Sequence, residues 1–424
     1  MCVSNLAEGC SQNHQSKFQM SKDLNSRICI VGAGAAGLSA AEALKEKGYT
    51  NVTVLEREAF AGGKCRSVEI EGKIYELGAG AVAHGHTNVM NLAKKYDAKM
   101  DKVNFEGSLF LGPKIPKKVL RSVIELIRYY KLSKKYAKDL EPGYAGVSKD
   151  LCVPFSEFAD KNGIAYLAKL FLPHSTGFGY GYFDEVPAAY MLTYNSLGLI
   201  KSFLKRKLYV FPDGMQCLWE TVANHHNVIY ECEIEGIERG EKVHVLTNKG
   251  DMEFDRLILT APLDESVDYL DVQPKEMELF GKIKYVDYVN FMCVLSGFPE
   301  KIGYIPNNLS RSKSGHPVFW YYRHKGTHLY NFYILGDWKI TDEEMQKNIE
   351  EVVRREGGSV EEFQSAVHWK YFPHVSSKDM ADGFYDQLES LQGVKNTYYA
   401  GEIMNFSSVE LSSAYSYSLI ESRF

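Results

Sequence analysis

RICIVGAGAAGLSAAEALKEKGYTNVTVLE, residues 27–56, decides the fold of this 424-residue chain. RICIV (27–31) is apolar and β-branched and reads as a short strand. GAGAAG (32–37) follows it directly. A helical pattern then runs through Leu38, Ala41 and Leu44 to Lys47, and Gly48 closes it at the C-cap position. Val52–Leu55 reads as a second strand and ends on Glu56. Each glycine has a mechanical meaning: Gly32 permits the tight turn, Gly34 lets backbone approach a pyrophosphate, and Gly37 lets helix pack on strand. The helix N-terminus, with Ala33 in the turn before it, faces the phosphates with its positive end. Glu56 stands 19 residues beyond Gly37, where a carboxylate takes ribose hydroxyls. The order of strand, glycines, helix, strand and acid predicts a βαβ dinucleotide-binding unit. The plainer alternative is a doubly wound domain with an accidental glycine turn.

The length suggests two or three domains. Hydrophobic content of 45% and charged content of 24% are those of a globular protein. The net charge of −5 offers no basic field to nucleic acid. The 28 Tyr and 22 Phe predict large aromatic cores or an apolar ligand cavity. Cys2, Cys10, Cys29, Cys65, Cys152, Cys217, Cys232 and Cys293 form no CxxC pair, and no His cluster has zinc spacing. A reducing, cytoplasmic compartment and no metal are expected. No run is long enough to span a bilayer. Residues 1–26 lack the apolar stretch of a signal peptide and the arginines of a transit peptide, and read as a polar, disordered extension.

TGFGYGYFDEVPAAY (176–190) alternates glycine and aromatic three times. It reads either as a strand burying aromatic mass on one face, or as a place where a flat or charge-developing ligand approaches the backbone. Residues 115–141 form a basic amphipathic helical region. It could make transient membrane-surface contact; the plainer reading is a cap helix with a solvated lysine face. Strand patterns occupy 227–260 and 285–338, a charged helix 342–356, and the last unit is a strand, a Gly turn and a helix through Leu419.

Four dispersed segments resemble the flavin amine oxidase superfamily: GGK (62–64), ELGAGAV (76–82), LILTAP (257–262) and AGE (400–402). That resemblance implies FAD. It implies cofactor contacts from Gly62, Gly63 and Lys64, from Gly78, Ala79 and Gly80 near the flavin ring, and from Gly401 and Glu402 at the ribityl and phosphate portion. Arg57, next to the ribose acid, and Ile234 complete the expected cofactor set. The bland readings are a surface lysine for Lys64 and a helix-start carboxylate for Glu402.

GFGYGYFDEVPAAY (177–190), KYFPHVSSKD (370–379) and NTYYAGEIMNF (396–406) are more specific. With them, residues 27–424 resemble the flavin-dependent polyenoic fatty acid isomerases, which make conjugated linoleic acid. The resemblance implies hydride abstraction from a polyunsaturated fatty acid to flavin N5 and its return at a distal carbon, with no net redox. Phe178 matches the family phenylalanine at the reacting carbons, where a π face stabilises developing positive charge. Phe203 matches the aromatic near the substrate's carboxylate end; Tyr180 and Tyr190 are expected on the substrate wall. The family's carboxylate-clamping arginine falls on Gly107 here. A buried carboxylate needs a partner, so either Lys114, Lys117, Arg121 or Arg206 replaces that arginine, or the head group stays in water, or the substrate is a longer polyene, an ester or an alcohol. His84, His86, His368 and His374 read as polar or structural histidines.

The expected fold class is α/β: a Rossmann-like FAD-binding domain of the flavin amine oxidase type, a helical cap and a mixed α/β substrate domain. Residues 27–90, 207–265 and 393–424 are assigned to the FAD-binding domain, 91–206 to the cap and 266–392 to the substrate domain. Two rival functions stand beside the isomerase: an oxidase or desaturase of a polyene or amine using an external acceptor, and a flavin-bearing lipid-binding protein without turnover.

Overall fold

A computed structural model describes residues 23–103, 109–110, 119–205 and 207–424. The opening stretch forms β1 (Ile28–Val31), α1 (Ala35–Glu46) and β2 (Val52–Leu55). β1 is the middle of a five-stranded parallel sheet, ordered Thr397–Tyr399, Arg256–Leu259, β1, β2, Asn227–Ile229. All four β1 residues are buried, as a strand covered on both faces requires. α1 packs on the C-terminal helix Val409–Arg423 through small side chains; Ser39 Oγ and Ser413 Oγ share a 2.9 Å hydrogen bond. At the other end Lys47 Nζ donates to the carbonyls of Ile420 and Glu421, each at 3.0 Å, meeting the negative end of that helix.

The second layer is a six-stranded sheet. Its long strand Lys284–Ser296 pairs antiparallel with Leu329–Leu335 and with Ser359–His374. The period of two divides its side chains. Val289, Phe291, Cys293 and Leu295 join Met345, Ile349, Val352 and Val353 of helix Asp342–Arg355 in one core. Asn290 has the opposite parity, and its Nδ2 donates to the carbonyl of Leu77 at 3.1 Å. That bond fixes this sheet to the segment at 76–82.

Helices Val119–Lys135, Phe155–Lys161, Ala165–Ser175, Ala188–Tyr194 and Leu197–Leu204 form the third layer. Glu125 accepts the Leu167 N–H at 2.8 Å and the Tyr129 hydroxyl donates to the Asn195 carbonyl at 2.8 Å, so the first helix is bolted to its neighbours by polar groups.

Three sequence expectations need correction. Residues 23–26, assigned to a disordered extension, form a turn in which Ser26 N–H donates to the Asp23 carbonyl, and Asn51 holds the Asn25 carbonyl at 2.9 Å. The last helix begins at Val409 and runs to Arg423. The glycine–aromatic stretch is not a strand. Thr176–Phe178 is a 3-10 turn, and Gly179 and Gly181 follow with φ of +87° and +71°. A Cβ on Gly179 would lie 2.8 Å from the Tyr288 ring and 2.9 Å from Tyr371. These glycines serve a left-handed backbone and the close approach of the protein's own rings.

Candidate functional site

The turn after β1 is built for close backbone approach. Gly32 has φ +102°, and a Cβ on Gly37 would sit 1.9 Å from the Gly32 carbonyl oxygen. Gly62, at φ +114°, donates its N–H to the Ala33 carbonyl at 2.9 Å, and a Cβ on Gly63 would lie 3.2 Å from the Gly34 Cα. Two glycine segments thirty residues apart in the chain are thus laid side by side. Glu56 closes the cradle: one carboxylate oxygen accepts the Ala33 N–H at 2.6 Å, the other the Glu58 N–H at 2.9 Å. Each oxygen keeps a lone pair for a ribose hydroxyl. Cys232 N–H donates to the Glu56 carbonyl at 2.9 Å, which brings half-buried Ile234 beside the same end. Arg57 is 70% exposed, with its charge shared between Glu58 and Glu265.

Lys64 and Glu402, 338 residues apart, form an ion pair at 2.6 Å. Ala79 donates to the Lys64 carbonyl at 3.0 Å, and a Cβ on Gly78 would fall 1.9 Å from that oxygen. A Cβ on Gly80 would strike the Glu76 side chain at 2.3 Å, and one on Gly401 (φ +101°) the Thr260 carbonyl oxygen at 2.9 Å. The segments 62–64, 78–80 and 401–402 therefore meet at one place. Sequence reasoning missed the support beneath them. Glu76 is buried in an ion pair with Arg323 at 3.0 Å, and it also accepts from Ser67 Oγ and the Met215 N–H. It missed Trp369, whose indole N–H donates to the Leu77 carbonyl at 2.8 Å. It also missed Asn405 Oδ1 and Ser407 Oγ, which are buried without a hydrogen-bond partner just beyond Glu402. Nothing in their local sequence marks these residues; only contact across the chain does.

Beyond Lys64 lies an aromatic wall. Lys64 Nζ is 5.6 Å from the Tyr371 ring centroid. Tyr371 stacks on Tyr288 (5.3 Å, 27°) and Tyr288 on Tyr333 (5.7 Å, 23°). Phe319 continues the row from Tyr333 (5.2 Å) to Phe178 (5.5 Å) and Tyr304 (4.9 Å). Burial pushes the Tyr288, Tyr304, Tyr333 and Tyr371 hydroxyls far up, so the wall is uncharged at neutral pH. Phe178 keeps partial exposure. Tyr180 is buried against Tyr194, Phe406 and Tyr371, and its hydroxyl accepts from Tyr371 at 3.0 Å. Tyr190, expected on the substrate wall, has no accessible surface. Its hydroxyl bonds Tyr385 at 2.6 Å and accepts the Val375 N–H. The core has consumed its whole surface, so its place is in the scaffold.

Helix Ala165–Ser175 ends at the wall, and His174 in its last turn lies 4.9 Å from the Phe203 ring and 6.2 Å from Tyr194. Burial pulls the His174 imidazole down to about 4, leaving a neutral ring there. Beside Phe203, Lys201, Lys205, Lys207 and His84 line a surface pocket of about 260 Å³ with Gly85, Gly198 and Ser202. No carboxylate pairs with these lysines among the described residues. Gly107, Lys114, Lys117 and Arg206 lie outside the described residues. Arg121 is engaged with Glu125 at 2.6 Å. His86 is half-buried and accepts the Ala83 N–H, and desolvation of its ring lowers it to about 4. His374 bonds the Phe372 carbonyl, and burial lowers it likewise to about 4. His368 bridges Asp287 at 2.9 Å and Asp342 at 2.8 Å.

Comparison with known proteins places this geometry. Residues 35–422 match the family described as flavin containing amine oxidoreductase. The crystal structure of a CLA-producing fatty acid isomerase from P. acnes superposes with a TM-score of 0.90 at 33% identity, covering 95% of this chain and 100% of that one. A β-cyclopiazonate dehydrogenase from Aspergillus flavus is 23% identical over 88% of each chain. Cyclohexylamine oxidase from Brevibacterium oxydans shares the fold, with a TM-score of 0.67 at 15% identity over 94% of this chain and 99% of that one.

Proposed function

We propose, for a chain that belongs to the flavin containing amine oxidoreductase family, that it isomerises a polyunsaturated fatty acid to a conjugated diene without net redox. Its fold is the α/β fold of that family and its cofactor is FAD. The residues present fit the group: Gly37, Gly63, Gly78 and Gly401 let four backbone segments close on one another, and Asn405 Oδ1 and Ser407 Oγ are left buried without a hydrogen-bond partner just beyond Glu402. Glu56 would hold the ribose, and the Lys64–Glu402 pair with Asn405 and Ser407 would meet the part toward the ring. FAD, when bound, supplies reversible acceptance of two electrons and a proton from a carbon centre.

The observation that carries the reading is a line of ring contacts that leads away from the cradle. Tyr371 beside Lys64 touches Tyr180, Tyr180 touches Tyr194, Tyr194 touches neutral His174, and His174 touches Phe203, next to lysines that have no carboxylate partner among the described residues. A molecule matched to that line is a hydrocarbon chain with an anionic head. The rings exclude water and give a π face to developing positive charge, worth about 1–2 kcal/mol when desolvated. Burial holds the hydroxyls of Tyr288, Tyr304, Tyr333 and Tyr371 protonated, so they offer no phenolate base on this wall. Lys201, Lys205 and Lys207 take over head-group binding from the family arginine. The isomerase from P. acnes, similar over its whole length, supports the same reading.

The test is an anaerobic incubation with linoleic acid and then longer polyenes, with no added acceptor. Conjugated-diene absorbance should rise while the flavin band stays oxidised. Bleaching of the flavin in proportion to substrate, with no further turnover, would replace the proposal with an oxidase or desaturase.

A further inference from the structure

Helix Val119–Lys135 carries apolar residues on two faces. A surface helix normally buries its apolar stripe and wets the opposite side. Here the inward face holds Leu126, Tyr129 and Leu132 against the core, together with Glu125, bonded to Arg121 and the Leu167 N–H, while the Tyr129 hydroxyl is spent on Asn195. The outward face carries Leu120, Val123, Ile124, Ile127 and Tyr130, which are 76%, 50%, 42%, 53% and 51% exposed. Their spacing of three and four residues makes them one stripe. The same stripe continues in register as Lys131 and Lys134, so it begins apolar and ends basic. The helix holds five basic side chains against one acid, in a chain whose net charge is −5. Leu204, on the helix that carries Phe203, is exposed to 73%.

We propose that this outward face docks the protein on an anionic lipid bilayer. Charge complementarity selects the occupant. Leucine, valine and isoleucine at the first turns enter the acyl boundary, while Lys131 and Lys134 reach lipid phosphates, and their stems cover apolar surface on the way. Among the described residues no helix is long and apolar enough to cross a membrane, so the contact is interfacial. A second copy of the chain would have to set Lys131 and Lys134 against the same lysines or bury them on the apolar half of its stripe, and both oppose pairing.

Flotation of the full FAD-loaded protein with phosphatidylcholine vesicles, with and without phosphatidylserine, tests this. Binding should require phosphatidylserine and weaken as salt rises. The Ile124→Glu/Ile127→Glu variant changes two exposed side chains, so it should keep its flavin and melting temperature yet bind at least about tenfold more weakly. Lys131→Gln/Lys134→Gln should lose the preference for the anionic lipid. The proposal is overturned if the protein ignores anionic vesicles or if the glutamate variant binds them as well as the parent. It is also overturned if light scattering shows a dimer that the same variant dissolves, since a second copy then covers the face.

Discussion

Gly37 and Phe178 show how differently a single residue can matter. Gly37 is required by contact alone: any side chain there would overlap the Gly32 carbonyl oxygen, whichever cofactor is bound. Phe178, under the proposed function, is required by chemistry. It has a ring neighbour in Phe319 and partial exposure, and its partners would survive its replacement. Phe178→Leu should therefore keep FAD and fold. If Phe178 stabilises charge at the reacting carbons, the variant should slow isomerisation by about five- to thirtyfold, the rate equivalent of about 1–2 kcal/mol of π stabilisation. Diene formation per bound flavin is the measurement, and an unchanged rate and product pattern would remove Phe178 from the mechanism. Glu56 lies between these cases, since its local hydrogen bonds and its expected ribose contact use the same carboxylate.

The elements were unequally readable. β1, α1 and β2 follow from contiguous sequence, because strand, turn and helix there are local and the third glycine reports its own packing. The charged helix at 342–356 was equally plain: Thr341 and Glu344 form a capping box ahead of four buried apolar residues. Strand Ser359–His374 was not foreseen. It is the edge of its sheet, and glutamates and half-buried residues alternate along it, so neither propensity nor an apolar run marked it. His368 joins this strand to helix Asp342–Arg355. Burial alone would lower its pKa, but the Asp342 and Asp287 carboxylates raise it above the ordinary value. A raised folded value means stabilisation that is full below the unfolded pKa, about 6.5, and fades as pH rises through the folded value. The melting-temperature deficit of His368→Asn should be largest below about pH 6 and shrink toward alkaline pH. A deficit that is constant, or that grows with pH, would refute the charged bridge.

At the scale of the molecule, the cofactor cradle is assembled from the first, middle and last parts of the chain, and the long strand of the second sheet locks it through Asn290. A ligand that binds only this assembled state stabilises it by mass action, by about 4 kcal/mol at a free concentration a thousand times its dissociation constant. Stripping FAD should thus lower the melting temperature by several degrees and expose the 62–80 segment to protease; re-adding FAD should restore both. Equal melting of the two forms would mean that the cradle does not hold the cofactor as assigned.

The sequence by itself determined the nucleotide-binding unit and the identity of its glycines and acid, because those constraints act between residues adjacent in the chain or bonded across one turn. It also pointed, through dispersed motifs, to Lys64 and Glu402 and to the aromatic segment at 176–190. Only the tertiary structure decided that Lys64 and Glu402 pair with each other, that Glu76 and Arg323 neutralise one another beneath them, and that Tyr190 belongs to the scaffold. The same is true of the helix at 119–135. Its periodicity announces an apolar stripe, but a period states only that the residues share a face. Whether that face turns inward or outward depends on the neighbours, and here they take Leu126, Leu132, Glu125 and Tyr129 and leave the other stripe outside.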